Sequence, residues 1–400
     1  MIVRLENTVR HYAWGIPDGV AQFLGRSERS KLPEAELWLG AHPDDSSRAI
    51  LDDKRVALFE LIATSPVELL GIEVAKRFGD VLPYLMKVLV AGSPLSLQVH
   101  PSLEQARTGF EDEEHRGILR DAPNRNYHDC NHKPELVFAA TRFEALCGFR
   151  PVEDIVASLE RLNQPKLLEL AAHLRKNPSA TGLKELVEKL LRSVPGQHEE
   201  LIRQTLTAAE HGQHTRGVDQ GHLSWIAKLG RVYPDDVGVV TALLLNHVAL
   251  EVGQTIYIPT RTLHSYLSGV GIEIMASSDN VLRGGLTPKH VDAAALLRVL
   301  SFEPQTPSFV VPTTVSPVEQ AFITPTADFR LSQLTLDGKH SIAPFGPELL
   351  LCVDGSINLS ADGETAVSLH HGESAFVAAN SRNVQLDGRG QLFRATVGNL

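Results

Sequence analysis

Residues 94–101 read PLSLQVHP, and two of them, Gln98 and His100, carry metal-binding groups two positions apart. In an extended strand that spacing turns both side chains to one face, roughly 7 Å apart along the chain. Ser96 shares that face, while Leu95, Leu97 and Val99 take the other. Glu135 opens a later apolar run, ELVFAA, and His264 follows TIYIPTRTL. Together they offer two imidazoles, a carboxylate and an amide oxygen. Two His and one Glu with an open position is a ligand set of catalytic zinc. Fe(II) and Mn(II) accept the same set, and an amide oxygen is an uncommon zinc ligand, so residue type alone supports Gln98 least. The two histidines also fit separate core positions, each bonded to a backbone carbonyl, and spacing does not decide between these readings.

A second group follows in GIEIMASSDNVLRGGLTPKH (271–290), which holds Glu273, Asp279, Arg283 and Lys289. Gly284 and Gly285 let the chain turn sharply after Arg283. A planar, permanently charged guanidinium at such a turn suits a developing oxyanion. An exposed Asp279–Arg283 loop pair would explain the same residues and be worth little.

The elements that must position these groups are mostly short strands. ELWLGAHP (36–43), LPYLMKVLV (82–90), the 94–101 segment and ELVFAA (135–140) read as strands or buried elements before residue 150, and 111–134 as a helix end and a polar loop. From 151 to 230 the period becomes helical. Val152, Ile155, Val156, Leu159 and Leu162 form one apolar stripe, Leu183, Leu186, Val187, Leu190 and Leu191 another, and EELIRQTLTAAEH a third helix. Glu210, His211 and His214, at the end of that helix, read as solvated. Strands are expected to resume near 236 with DVGVVTALLLNHVAL. FEPQTPSFVVPTTVSP (302–317) reads as a linker, and the remainder alternates as an antiparallel sandwich or barrel. An internal echo supports two related β units. Gly253 precedes Pro259 and His264 at the spacing at which Gly372 precedes Ala378 and Asn383, so the second copy keeps the turn and lacks the imidazole.

Composition narrows the partners. The net charge of -10 argues against nucleic acid or an anionic membrane surface. No segment is long and apolar enough to span a bilayer, and the N-terminus lacks the apolar core of a secretory signal. Cys130, Cys147 and Cys352 have no paired spacing, which fits free thiols in a reducing cytoplasm.

YAWG (12–15), WLGAHP (38–43), PLSLQVHP (94–101), NHKPEL (131–136), LHSYLSG (263–269) and SDNVLRGGLTPKHVD (278–292) resemble, in order, the motifs of the type I mannose-6-phosphate isomerases. The resemblance implies a mainly β fold of cupin double-stranded β-helix barrels with an inserted α-helical domain. It gives a discontinuous catalytic cupin domain (1–150 and 231–305), a helical insertion (151–230) and a C-terminal cupin-like β domain (306–400) without metal ligands. It implies one Zn²⁺ per chain on Gln98, His100, Glu135 and His264. It marks Arg283, His132, Lys133, Asp279 and Glu273 as catalytic candidates, and Trp14, Lys87, Ser96 and Lys289 as pocket-lining. The implied reaction is the interconversion of D-mannose 6-phosphate and D-fructose 6-phosphate by a cytoplasmic monomer. A non-catalytic cupin that binds a sugar phosphate and an isomerase of another aldose phosphate are the alternatives. One departure is Arg261, where the common cupin turn has Gly.

Overall fold

The computed structural model describes every residue except 28, 53, 193–195, 213–215 and 400. His214 therefore lies outside the described residues, while Glu210 and His211 are exposed at the end of helix Glu199–His211.

The architecture is mainly β, with one sheet of eleven strands and one of ten. The first is organised around the 13-residue strand His264–Ala276. Its second half pairs with Tyr84–Ala91 on one side and Glu135–Ala139 on the other. Its first half pairs with Phe143–Phe149, and His264 stands opposite Gln98 of Leu97–Val99. The strand changes neighbours near Gly269, where φ is +122°. A Cβ there would come within 2.6 Å of the Arg142 carbonyl oxygen, so glycine permits the close approach. The strand within PLSLQVHP is only Leu97–Val99. Ser96 precedes it and is half-buried.

The second sheet is built on three 13-residue strands, Arg330–Ile342, Glu348–Ser360 and Val384–Thr396, with the last paired to both others. The N-terminal strand Ile2–Glu6 also belongs to this sheet, between Ser374–Val377 and Arg48–Leu51. The two sheets share a core in which Phe138 packs edge-on against Phe322 and Phe393. The echo has a structural counterpart. Gly253 (φ +90°) and Gly372 (φ +86°) each precede a four-residue strand, Thr255–Ile258 and Ser374–Val377. Each copy then enters a 13-residue strand, the first beginning at His264, the second just after Asn383.

The helical block contains Val152–Leu162, Ala180–Leu191 and Glu199–His211, as the apolar stripes require, and also Pro165–Lys176 and Gln220–Val232. Val152, Ile155, Val156, Leu159 and Leu162 are all buried, each worth about 1.5–3 kcal/mol of transfer free energy. The block extends further than the apolar pattern suggests. Gly238–Leu243 is a helix, and the strand begins only at Leu245. The run VVTALLL is buried on every side and apolar but for Thr241, so periodicity cannot separate a buried helix from a buried strand.

Candidate metal centre

His100, Glu135 and His264 come together with donor atoms within 4.8 Å of one another, all three side chains buried. His100 Nε2 lies 3.1 Å from Glu135 Oε1, and His264 Nε2 lies 3.3 Å from Oε2. Neither nitrogen has a hydrogen-bond partner among the described residues. The reason lies on the other edge of each ring. His100 Nδ1 is 2.6 Å from the Asn280 carbonyl and His264 Nδ1 is 2.9 Å from the Thr262 carbonyl. A carbonyl can only accept, so each Nδ1 carries the ring proton and each Nε2 presents a lone pair. Burial, aided by Lys133, pushes the His100 imidazolium down to about 4, which keeps the ring neutral. Two lone pairs thus face a carboxylate with nothing between them to share, an arrangement that a divalent cation satisfies.

Strand register explains Gln98. It pairs with His264 on one side and Arg283, in strand Leu282–Gly285, on the other. Directly opposed residues share a face, so Gln98 stands in one row between a histidine of the cluster and the arginine. Burial lowers the Arg283 pKa, with no carboxylate among the described residues opposing it. Lys289 is largely exposed, and the partial burial of its ammonium and the charge of Arg283 lower its pKa.

Behind the histidines runs a buried row of charge. Lys87 Nζ is 3.5 Å from Glu36 Oε1 and 3.6 Å from Glu273 Oε2, and lies over the Trp38 ring. Although burial opposes its charge, Glu36 and Glu273 hold the Lys87 ammonium firmly protonated. The Tyr266 hydroxyl is 3.0 Å from both Glu135 Oε2 and Glu273 Oε1. One hydroxyl has one proton, so a second proton must reside on a carboxyl. Glu273 suits that role, since burial and Glu135 push it up to about 7. Lys133 Nζ closes the row, 3.2 Å from Glu135 Oε1.

The remaining expected residues stand further from this cluster. Asp279 pairs with His42, Nε2 to Oδ2 3.2 Å, which holds its carboxyl well below the usual range. His132 turns away from Glu135 to Asp328, 3.0 Å away. Trp14 stacks on Tyr12 and packs against the apolar cluster that contains Tyr266. Arg261 points outward. Its Nε bonds the Val299 carbonyl, and it lines a cleft of about 510 Å³ with Lys184 and Arg298. Its φ of +68° explains why a glycine serves at this turn. The Arg261 N–H nevertheless holds the His100 carbonyl at 2.7 Å.

Tyr266, Glu36, Trp38, His42 and Asn280 were not singled out from sequence. Tyr266 lies two residues from His264 on one strand, and Glu36 and Trp38 alternate in ELWLG, so period two was an available signal. Asn280 is fully buried and binds the loop at 128–131 through its side chain, while its carbonyl orients His100. The SDN of the long motif is thus partly a brace for a histidine 180 residues away.

Comparison with known proteins extends the geometry. The catalytic-domain family of type I phosphomannose isomerase matches residues 2–152, and the mannose-6-phosphate isomerase cupin-domain family matches 318–397. A mannose-6-phosphate isomerase of Salmonella typhimurium is 40% identical over 98% of each chain, and that of Homo sapiens is 32% identical over 94% of this chain and 93% of its own. Among solved structures, a mutant of the Salmonella typhimurium phosphomannose isomerase superposes with a TM-score of 0.91, and a zinc-bound holo mannose 6-phosphate isomerase with 0.90. Each is 38% identical, with full coverage of both chains.

Proposed function

The chain belongs to the type I phosphomannose isomerases, and we propose from that premise that it is a zinc-dependent enzyme interconverting D-mannose 6-phosphate and D-fructose 6-phosphate. The observation that carries the proposal is the pair of unpartnered Nε2 lone pairs, on His100 and His264, converging on Glu135. These three residues would hold the ion, and Gln98 would add its amide oxygen from the adjoining row. Bound zinc supplies Lewis-acid polarisation of the sugar's carbonyl and hydroxyl oxygens.

The reaction moves a carbonyl between C1 and C2, so a proton α to a carbonyl must leave one carbon and reach the other. All four candidate bases have partners: Asp279 pairs with His42, Lys133 with Glu135, His132 with Asp328, and Glu273 with Lys87 and Tyr266. We assign the carbon-to-carbon shuttle to Glu273, whose proton affinity near neutrality is what general acid–base catalysis favours, and leave His132 to proton transfer at the sugar oxygens or in ring opening. Arg283, with no carboxylate among the described residues to neutralise it, stabilises negative charge on the enediolate oxygen. Lys87 is taken up by two carboxylates, which leaves Lys289 and Ser96 to meet the phosphate.

We take 1–150 with 231–305 as the catalytic unit, 151–230 as a helical insertion and 306–400 as the second β unit. The strand Ile2–Glu6 laces the first unit to the last. Three free cysteines fit a monomer in a reducing cytoplasm, and no helix among the described residues is long and apolar enough to cross a membrane.

The test is a coupled assay for fructose 6-phosphate formed from mannose 6-phosphate. Chelation is expected to abolish the activity and stoichiometric zinc to restore it. Full turnover by verified metal-free protein would remove the zinc role, and no turnover by the zinc-loaded protein would remove the substrate assignment.

A further inference from the structure

We propose that Asp328, contributed by the C-terminal β unit, is a positioning residue of the active site that acts through His132. This inference rests on the isomerase reading above. Asp328 lies in the turn between strands Glu319–Phe322 and Arg330–Ile342, and is 9% exposed. Its carboxylate reaches His132 Nε2 at 3.0 Å, 196 residues away in sequence. The turn is itself braced. The Thr326 hydroxyl donates to the same Asp328 oxygen, and the Gly398 N–H donates to the Ala327 carbonyl.

An ionised carboxylate only accepts, so Nε2 must carry the imidazole proton. Nδ1 is then the lone-pair side of a half-exposed ring, and it has no hydrogen-bond partner among the described residues. This is how a carboxylate prepares a histidine to take up or deliver a proton: it fixes the tautomer and the ring plane, and stabilises the imidazolium once formed. The location matters because His132 immediately precedes Lys133, whose Nζ touches the metal-cluster carboxylate Glu135. The same loop is pinned on its other side, where Asn280 binds the Asn131 carbonyl and Asn131 Nδ2 the Ser277 carbonyl. The N-terminal half of the loop is thus set by the catalytic sheet, and the His132 ring by the second β unit. That gives the metal-poor second unit a part in the chemistry and not only in the shared core.

A double-mutant cycle on the zinc-loaded full-length enzyme tests this. His132→Ala and Asp328→Ala are each expected to lower kcat about 10- to 100-fold, with KM and zinc content little changed. Asp328→Ala in the His132→Ala background is expected to add less than about twofold, because the carboxylate has lost the group it acts through. Asp328→Asn, which keeps the shape and one acceptor oxygen, should recover part of the loss and serves if the alanine variant fails to fold. Unchanged kcat in Asp328→Asn and Asp328→Ala, or a full multiplicative loss in the double variant, overturns the role. An inactive wild-type enzyme would instead defeat the isomerase reading itself.

Discussion

Replacing Arg283 by Ala separates catalysis from stability, because of what surrounds the guanidinium. No carboxylate among the described residues holds it, and its half-burial is a cost without compensation from them. Its removal therefore leaves no buried anion unpaired, and unfolding free energy is expected to change by less than about 1 kcal/mol. The effect on rate is large. A cation about 4 Å from a developing oxyanion, at an effective dielectric near 20, contributes about 4 kcal/mol. Losing it slows turnover by about a thousandfold, within the range measured for loss of a single oxyanion donor. Arg283→Lys keeps the charge and loses the fork, so it should fall between alanine and wild type. The coupled assay gives kcat, atomic absorption gives zinc per chain, and urea titration gives the midpoint. A kcat within threefold of wild type at full zinc occupancy would refute the electrostatic argument. A collapse of the urea midpoint would show that the guanidinium has a partner after all.

The opposite balance holds at Lys87, a buried cation. Lys87→Met leaves Glu36 and Glu273 facing each other in the dry interior, and is expected to cost about 3 kcal/mol in urea unfolding; an unchanged midpoint would contradict the ion-pair row. In the helical block, His222 is fully buried with Nε2 against the Ala242 carbonyl, and burial pushes its pKa down to about 4. The unfolded imidazole takes up its proton near 6.5, the folded one near 4, so the stability from the neutral ring is complete above pH 6.5 and lost as pH falls toward 4. Between pH 7.5 and 5.0 this removes about 2 kcal/mol that His222→Gln should not lose, and parallel urea midpoints for the two proteins over that range would refute it. Arg394 is held by Glu348 and Glu319 in the second sheet, and Arg394→Ala is expected to destabilise by about 3–5 kcal/mol without altering kcat of the surviving folded enzyme. Equal urea midpoints, or a fall in kcat at full folding, would count against that assignment.

What could be read from the chain and what could not divide along a physical line. His100, Glu135 and His264 were legible because a ligand's chemistry belongs to its own side chain, and the strand alternation around His100 gives its direction. Arg283 was legible as a charge beside two glycines. The echo was legible because a glycine at positive φ leaves a mark in sequence wherever the turn recurs. Lys87 entered as pocket-lining through the resemblance alone, because a lysine in isolation advertises only its charge. Its actual setting between Glu36 and Glu273 is a product of three-strand register, which puts Trp38, Lys87 and Glu273 side by side. The helix Gly238–Leu243 was read as a strand because burial on all sides erases the period on which the distinction depends.

Long-range pairing is the extreme case of the same rule. Nothing local in IVRLE says that this strand will lie between Ser374–Val377 and Arg48–Leu51. Nothing in PTADFR says that Asp328 will meet a histidine from the first third of the chain. The first contact joins residues from both ends of the chain within one sheet, and the second sets the ring beside Lys133. A lone Asp in a turn is ordinarily a backbone cap, and here Thr326 and the Asp328 N–H do exchange such bonds. The carboxylate is therefore held in place by its own turn before His132 arrives. A preformed acceptor costs less to use than one ordered by the contact itself. That is the physical ground for expecting Asp328→Ala to act on the imidazole and not on the fold of the turn, whose remaining brace from Gly398 to Ala327 survives the substitution.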